Sequence, residues 1–263
     1  MEKTFEKIKE ENAWGSVETV SGIGSELRNT VTLREELKFV FSKYKIKSIL
    51  DIPCGDFNWM NEVDLKDVEY TGADILDSLI ESNKEKYPDY KFINSNIISD
   101  DLPSVDLILV RDMLGHLTNE NVHATLDNIK KSGSKYLLTT TLTGWDFNSA
   151  PTEDGGWRPI NLLIKPFSLR PIYLLNEDCV EGYPDYNDKC MVLFDLEKIS
   201  IASLKPEGQP ALGKHAVVND DGVVELSATD VVIDEGNDTI GRPAPTVELA
   251  PENDGDLDWL AKT

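Results

Sequence analysis

Between residues 46 and 142 short apolar runs alternate with helix-period segments, and this alternation constrains the fold more than any other feature of the chain. Residues 46–51, 68–74, 91–94, 105–110 and 136–142 read as short buried strands, each closed by a turn signal. Helices are expected over 78–86 and 119–131. Another is expected over 32–44, where Leu33, Leu37, Val40 and Phe41 share one face. Strands that alternate with helices predict a mainly parallel, doubly wound α/β sheet. Its ligands would bind beyond the carboxyl ends of the strands. Residues 172–175 and 191–196 are expected to close the sheet as an antiparallel pair.

Composition changes near residue 200. All eight Tyr and all eight Phe precede residue 204, whereas residues 204–263 carry four Lys/Arg against thirteen Asp/Glu, a net of −9. Five prolines punctuate this stretch, which offers only short β-like runs at 215–218, 223–226, 231–234 and 246–249. The first two flank Asn219-Asp-Asp-Gly222, a hairpin signal. So little apolar content cannot build a core. The expected organisation is an N-terminal lid and helix (1–45), a ligand-binding core (46–199), and an extended acidic tail (200–263) dispensable for the core. The tail could dock on a protein partner or on a second copy.

The whole chain has a formal net charge of −22 and no large Lys/Arg cluster, which argues against a nucleic-acid partner. No apolar run reaches the roughly 20 residues needed to span a bilayer, so no membrane association is expected. The first eleven residues are alternately charged and do not read as a signal peptide. Cys54, Cys179 and Cys190 show no metal-type spacing. A cytoplasmic setting is expected, or carriage on an assembly such as a virion through the tail.

The most informative local run is Ile49-Leu-Asp-Ile-Pro-Cys-Gly-Asp-Phe57. An acid, Asp51, closes the first strand and Gly55 follows four residues on. A second acid, Asp74, closes the next strand, nineteen residues after Gly55, where a carboxylate can accept two hydrogen bonds from a ribose diol. A dinucleotide would need two or three glycines in this turn so that backbone N–H groups could approach its pyrophosphate. Only Gly55 is in place, and Asp56 would set a negative charge beside any phosphate. S-adenosylmethionine has no phosphate, and its sulfonium and ammonium are cationic. The residue chemistry favours the methyl donor.

With these residues in view, the chain resembles the class I S-adenosylmethionine-dependent methyltransferases, in particular a small bacterial and phage type. Its first motif matches Asp51-x-Pro-Cys-Gly-Asp-Phe-x-Trp-Met60. Further matches are Trp14-Gly15, Ser21-Gly-Ile-Gly-Ser25, Arg111-Asp112 with His116-Leu117, Thr139-Thr-Thr141 and Gly156-Trp-Arg-Pro-Ile-Asn-Leu162. Together they span about residues 12–197, and the resemblance stops near residue 200. Pro53 and Phe57 stand where the wider class has glycines. The resemblance implies a Rossmann-like, seven-stranded sheet with S-adenosyl-L-methionine as cofactor. Asp51 and Gly55 would lie along the methionine moiety, Asp74 at the ribose, Ile75 at the adenine face, and Asn96 at an adenine edge.

Methyl transfer is an in-line displacement, so proximity and alignment carry most of the catalysis. A base is needed where the acceptor must lose a proton. The end of the fourth strand, Arg111-Asp-Met-Leu-Gly-His116, is the expected place, with His116 as base and Asp112 and Arg111 as its catalytic neighbours. His123 is expected on the same helix face as His116. Trp157, Arg158 and Asn161 are expected to border the acceptor, a small molecule or glycan whose hydroxyl is methylated. Asp146, Asn148 and Asp154 could join Asp112 around Mg²⁺, although no metal is expected. Cys54 reads as a small turn residue. Ser21–Ser25 reads as a flexible lid with glycine hinges. Two other readings stay open: a dinucleotide-binding oxidoreductase, and a non-enzymatic protein that keeps the fold and docks through its tail.

Overall fold

A computed structural model describes residues 1–179, 181, 186–199, 215–218 and 224–227. The chain divides into two compact units, Met1–Glu207 and Gly208–Thr263.

The first unit is built on a seven-stranded sheet in the order β3-β2-β1-β4-β5-β7-β6. Its strands are β1 (Ser48–Asp51), β2 (Glu69–Asp74), β3 (Lys91–Asn94), β4 (Leu107–Val110), β5 (Tyr136–Leu142), β6 (Tyr173–Asn176) and β7 (Lys189–Asp195). β1 to β5 are parallel, while β7 runs antiparallel between β5 and β6. The sheet is doubly wound and mixed, as the alternation of elements implies. Strand order reverses between β1 and β4, which opens a crevice at their carboxyl ends.

Parallel strands covered on both faces should be apolar throughout, and Leu107–Val110 of β4 is wholly buried. Alternate side chains then serve different cores. Leu50, Ile108 and Val110 pack with Val122, Leu126 and Ile129 of α4 (Asn119–Lys131). Ile49, Leu107 and Leu109 pack with Leu33, Leu37 and Phe41 of α2 (Val31–Tyr44). Thr118 caps α4 by accepting the Asn121 N–H through its hydroxyl, at 3.2 Å. α2 ends on Lys45 in the left-handed conformation (φ 56°). α3 (Asp77–Lys86) joins β2 to β3.

The structure adds a helix that the sequence pattern does not announce, α1 (Glu2–Glu10). Phe5 and Ile8 mark one face at helical spacing, but none of its residues is fully buried. The pairing of β8 (His215–Val218) with β9 (Val224–Ser227) is antiparallel, as the hairpin signal implies. The runs at 231–234 and 246–249 lie outside the described residues. Among those described, no helix is long and apolar enough to cross a membrane.

Candidate ligand cavity and methyl-acceptor site

After β1 the chain turns sharply over the end of β2: Ile52 N–H donates to the Leu109 carbonyl and Cys54 N–H to the Ala73 carbonyl. Gly55 follows at φ 54°, and a Cβ there would collide with the Ser21 hydroxyl. Both demands, left-handed backbone and no side chain, explain the single glycine. Asn83 of α3 locks the turn by donating to the Gly55 carbonyl at 2.7 Å.

The two strand-end acids lie on either side of this turn. Asp74 accepts the Gly55 N–H at 3.2 Å on Oδ2 and the Leu76 N–H at 3.0 Å on Oδ1. Burial raises its carboxyl to about 6, against the pull of those amides. Asp51 accepts the Tyr70 hydroxyl at 2.7 Å. Burial raises it to about 7, against the Tyr70 bond, with Asp74 adding to the rise. Tyr70 itself, also buried, is held well above its ordinary range and stays a donor. Both carboxyls therefore sit where a cation would be welcome.

Asp51, Gly55, Asp74, Ile75 and Asn96 all line one cavity, about 1070 Å³ counting its open mouth, at the β1/β4 crossover. Asn96 also shapes its own loop, its side-chain oxygen accepting the Ile98 N–H at 3.0 Å. The far walls come from the N-terminal region: Met1, Phe5 and Lys9 of α1 and its cap, then Trp14, Ser21 and Ser25. Ser21–Ser25 is more than a loose loop. It contains a 3-10 turn, Ile23–Ser25, with Gly24 and Ser25 buried.

At the end of β4 the structure groups the three residues of the expected catalytic run, in differing states. Arg111 is buried, 5.6 Å above the Trp59 ring. It donates to Glu177 Oε2 at 2.6 Å and to the Gly24 carbonyl at 2.9 Å. Burial would lower its pKa, but Asp112 and Glu177 override that and raise it. Asp112 sits at φ 54°, its N–H donated to the Thr140 hydroxyl at 2.8 Å. Its carboxylate meets Arg111 at 3.0 Å and Lys189 at 2.5 Å. Burial would raise the Asp112 carboxyl; the two cations outweigh it and hold it well below the usual carboxylate range. Asp112 is thus a permanent anion and no base.

His116 lies in the next 3-10 turn, lines the cavity and is buried. Its Nδ1 is 2.8 Å from the Gly156 carbonyl, which can only accept, so Nδ1 carries the proton and Nε2 the lone pair. Burial lowers its pKa below 6.5, against the Gly156 contact, and the ring is neutral at pH 7. Trp14 and Trp157 each lie 5.1 Å from the ring, and Phe5 lies 6.3 Å away edge-on.

Other expected residues stand elsewhere. His123 is not on a helix face with His116: it belongs to α4, beyond the Thr118 cap, and packs on Phe167 at 5.1 Å. Trp157 touches His116 but does not line the cavity. Arg158 is buried behind the His116 turn and donates to the Leu117 carbonyl and to Asn119. Asn161 donates to the Trp145 and Thr143 carbonyls. Both therefore support loops through contacts the sequence cannot reveal. The oxygen ligands weighed for Mg²⁺ are dispersed, with Asn148 bonded to Asn161 and Lys165, and Asp154 to Thr118 and Asn121. Among the described residues no group of three or more His, Cys, Asp or Glu could hold a metal ion. Asp56 faces Thr19 and Val20 rather than the cavity, so the charge that would oppose a phosphate comes from Asp51 and Asp74.

No family model matches the chain, and no curated protein matches its sequence. Solved structures do match. The N-methyltransferase NodS from Bradyrhizobium japonicum WM9, in complex with S-adenosyl-L-homocysteine, is 13% identical; the likeness covers 73% of this chain and 97% of that one, with a TM-score of 0.53. The chain has the class I methyltransferase fold. An S-adenosylmethionine-dependent methyltransferase from Clostridium acetobutylicum ATCC 824 is 10% identical over 65% of this chain and 92% of that one, with a TM-score of 0.48.

Proposed function

We propose that this protein is an S-adenosylmethionine-dependent methyltransferase acting on a small molecule or glycan, through an acceptor hydroxyl. The observation that carries the reading is the pairing of Asp51 and Asp74, two buried carboxyls raised toward neutrality, in one cavity at the sheet crossover. A cation in that cavity stabilises both in their ionised form. A pyrophosphate would meet the opposite: two acids, one glycine, and the Ser21 hydroxyl over that glycine. A net charge of −22 adds to the case against a nucleic-acid acceptor.

The cofactor supplies an electrophilic methyl group on a cationic sulfur. Asp74 would accept from the ribose diol, Asp51 and Gly55 would hold the methionine end, and Ile75 and Asn96 would meet the adenine. His116 Nε2 would take the proton that the acceptor hydroxyl loses. The Gly156 carbonyl holds the tautomer this needs. Phe5, Trp14 and Trp157 surround the imidazole and keep bulk water from it.

Calorimetry with S-adenosylhomocysteine and with NAD tests the cofactor directly. Binding of the first and not the second supports the proposal; the reverse result would favour an oxidoreductase. Asp74→Ala should weaken S-adenosylhomocysteine by ~1–3 kcal/mol, the scale of a lost hydrogen bond to a charged group. Unchanged affinity would place the ribose elsewhere.

Binding should also depend on pH in a defined direction. In the empty protein Asp74 and Asp51 hold protons up to about 6 and about 7, above the ordinary carboxylate range. A group whose pKa is raised by folding stabilises the fold below its unfolded pKa and loses that contribution as pH rises through the folded value. The empty protein therefore loses stability from these two acids between about pH 4 and 7. The cationic cofactor favours the ionised forms, so S-adenosylmethionine should bind more tightly as pH rises from about 5 to 7, by up to ~10-fold per unit for each proton released. Titration in two buffers of different ionisation heat would show that proton release near pH 6. An affinity flat across this window would mean that neither acid faces a cation.

A further inference from the structure

Residues 16–30 form one wall of the cavity, yet the buried side chains that secure this segment are polar: Ser16, Thr19, Ser25, Glu26, Asn29 and Thr30. Val17 meanwhile is fully exposed. Leu27 is partly buried against the core, and hydrogen bonds hold the rest. Ser16 donates to Glu26 at 2.9 Å within the segment. Buried Arg111 ties Gly24 and Ser25 to the end of β4; the ties from residues 18–20 run instead to the turn after β1. Thr19 Oγ1 donates to Asp56 Oδ1 at 2.7 Å, and the Val20 N–H donates to Asp56 Oδ2 at 3.1 Å. Two residues further, Asn58 Nδ2 donates to Glu18 Oε1 at 2.7 Å and to the Ser25 carbonyl at 3.3 Å. The result is that Val20 and Ser21 face the cavity, with the Ser21 hydroxyl directly over Gly55. Asp56 itself does not line the cavity.

We propose that Asp56 is a positioning residue: both of its carboxylate oxygens clamp residues 19–21 across the cofactor cavity, and release of this clamp governs how fast the cofactor leaves. The second clause rests on the methyl-donor reading above. Charge-assisted hydrogen bonds are about twice as strong as neutral ones. A segment that buries little apolar surface opens locally at low free energy. A two-point charged anchor is then the main restraint on residues 19–20, while Arg111 holds Gly24 and Ser25 at the other end of the segment. Because Asp51 and Asp74 stay in place without it, the effect should fall on departure rather than encounter.

The test compares wild type with Asp56→Ala, Asp56→Asn and Thr19→Val. Hydrogen exchange on the ligand-free protein reads the clamp without any cofactor. Stopped-flow displacement of S-adenosylhomocysteine, followed by the fluorescence of Trp14 and Trp59, reads the residence time. In Asp56→Ala, exchange over 16–29 should quicken while the sheet strands keep their protection. The dissociation rate should rise about 10–100-fold, the kinetic equivalent of losing bonds to a charged acceptor, with the association rate within about threefold. Asp56→Asn, which keeps one acceptor, should recover part of the loss, and Thr19→Val combined with Asp56→Ala should be no worse than Asp56→Ala alone. Unchanged exchange over 16–29 overturns the clamp. Faster exchange with an unchanged dissociation rate overturns its control of residence. A loss of affinity matched by a uniform fall in thermal stability would reduce Asp56 to an ordinary structural role. If wild type fails to bind S-adenosylhomocysteine, the methyl-donor reading and the residence-time clause fall together, while the exchange result still decides the clamp.

Discussion

His116→Ala should lower methyl transfer by about 10²–10⁴-fold and leave S-adenosylhomocysteine affinity within about twofold of wild type, as expected for loss of a general base that does not hold the cofactor. The candidates at the end of β4 separate by their surroundings. Asp112 is ionised at every working pH because Arg111 and Lys189 flank it, so it has no useful basicity. His116 is neutral at pH 7, because burial lowers it and the Gly156 carbonyl fixes the proton on Nδ1. Only Nε2 then offers a lone pair to the cavity. The sign of the pH dependence follows: turnover should rise as pH passes a value below 6.5 and then level off. A pH–rate profile without that rise, or full turnover in the alanine variant, would make His116 a packing residue among Phe5, Trp14 and Trp157.

The sheet was legible because each parallel strand carries its own apolar run, and the helical periods of α2, α3 and α4 mark segments before and between those strands. Strands β3 and β5 and helix α4 begin and end where the pattern says, and Asp51 and Asp74 close their strands as read. What escaped depends on contacts between distant parts of the chain. α1 has an apolar face at Phe5 and Ile8, but its periodicity does not say that this end of the helix lines the cavity. Lys189 opens β7, an antiparallel strand far along the sequence, and meets Asp112 only because β7 inserts beside β5. Glu177 likewise reads as a solvent-facing acid just past β6. The role of Asp56 was misread for the same reason, since its partners Thr19 and Val20 lie thirty-six and more residues earlier. Arg158 and Asn161 were expected at the acceptor because their run follows β5; Asn161 donates to loop carbonyls, and Arg158 donates through Nη2 to the Leu117 carbonyl and to Asn119. Local chemistry was readable; the polar ties between segments were not.

The largest expected loss of stability comes from that unannounced network. Glu177 has a side chain with 0% exposure, paired with Arg111 at 2.6 Å, and Arg111 is itself bound to Asp112 and to the Gly24 carbonyl. Removing one member of a buried ion pair costs about 3–5 kcal/mol when its partner is left unpaired; Arg111 keeps Asp112 at 3.0 Å, so the lower end of that range is expected. Glu177→Ala should therefore lower unfolding stability by that order in urea titrations, a large fraction of the roughly 5–15 kcal/mol that holds a domain of ordinary stability. Glu177→Gln keeps one acceptor oxygen for Arg111 and replaces the other, unpartnered oxygen with an amide NH2, so its effect should be smaller. Since Glu177 does not line the cavity, S-adenosylhomocysteine affinity in the surviving folded protein should change less than stability does. The Arg111 bonds to Gly24 and Ser25 join this network to the N-terminal wall, so exchange over residues 22–26 should also quicken. A stability loss below about 1 kcal/mol would show that water reaches Arg111 when its partner is gone, and that the pair behaves as an exposed one.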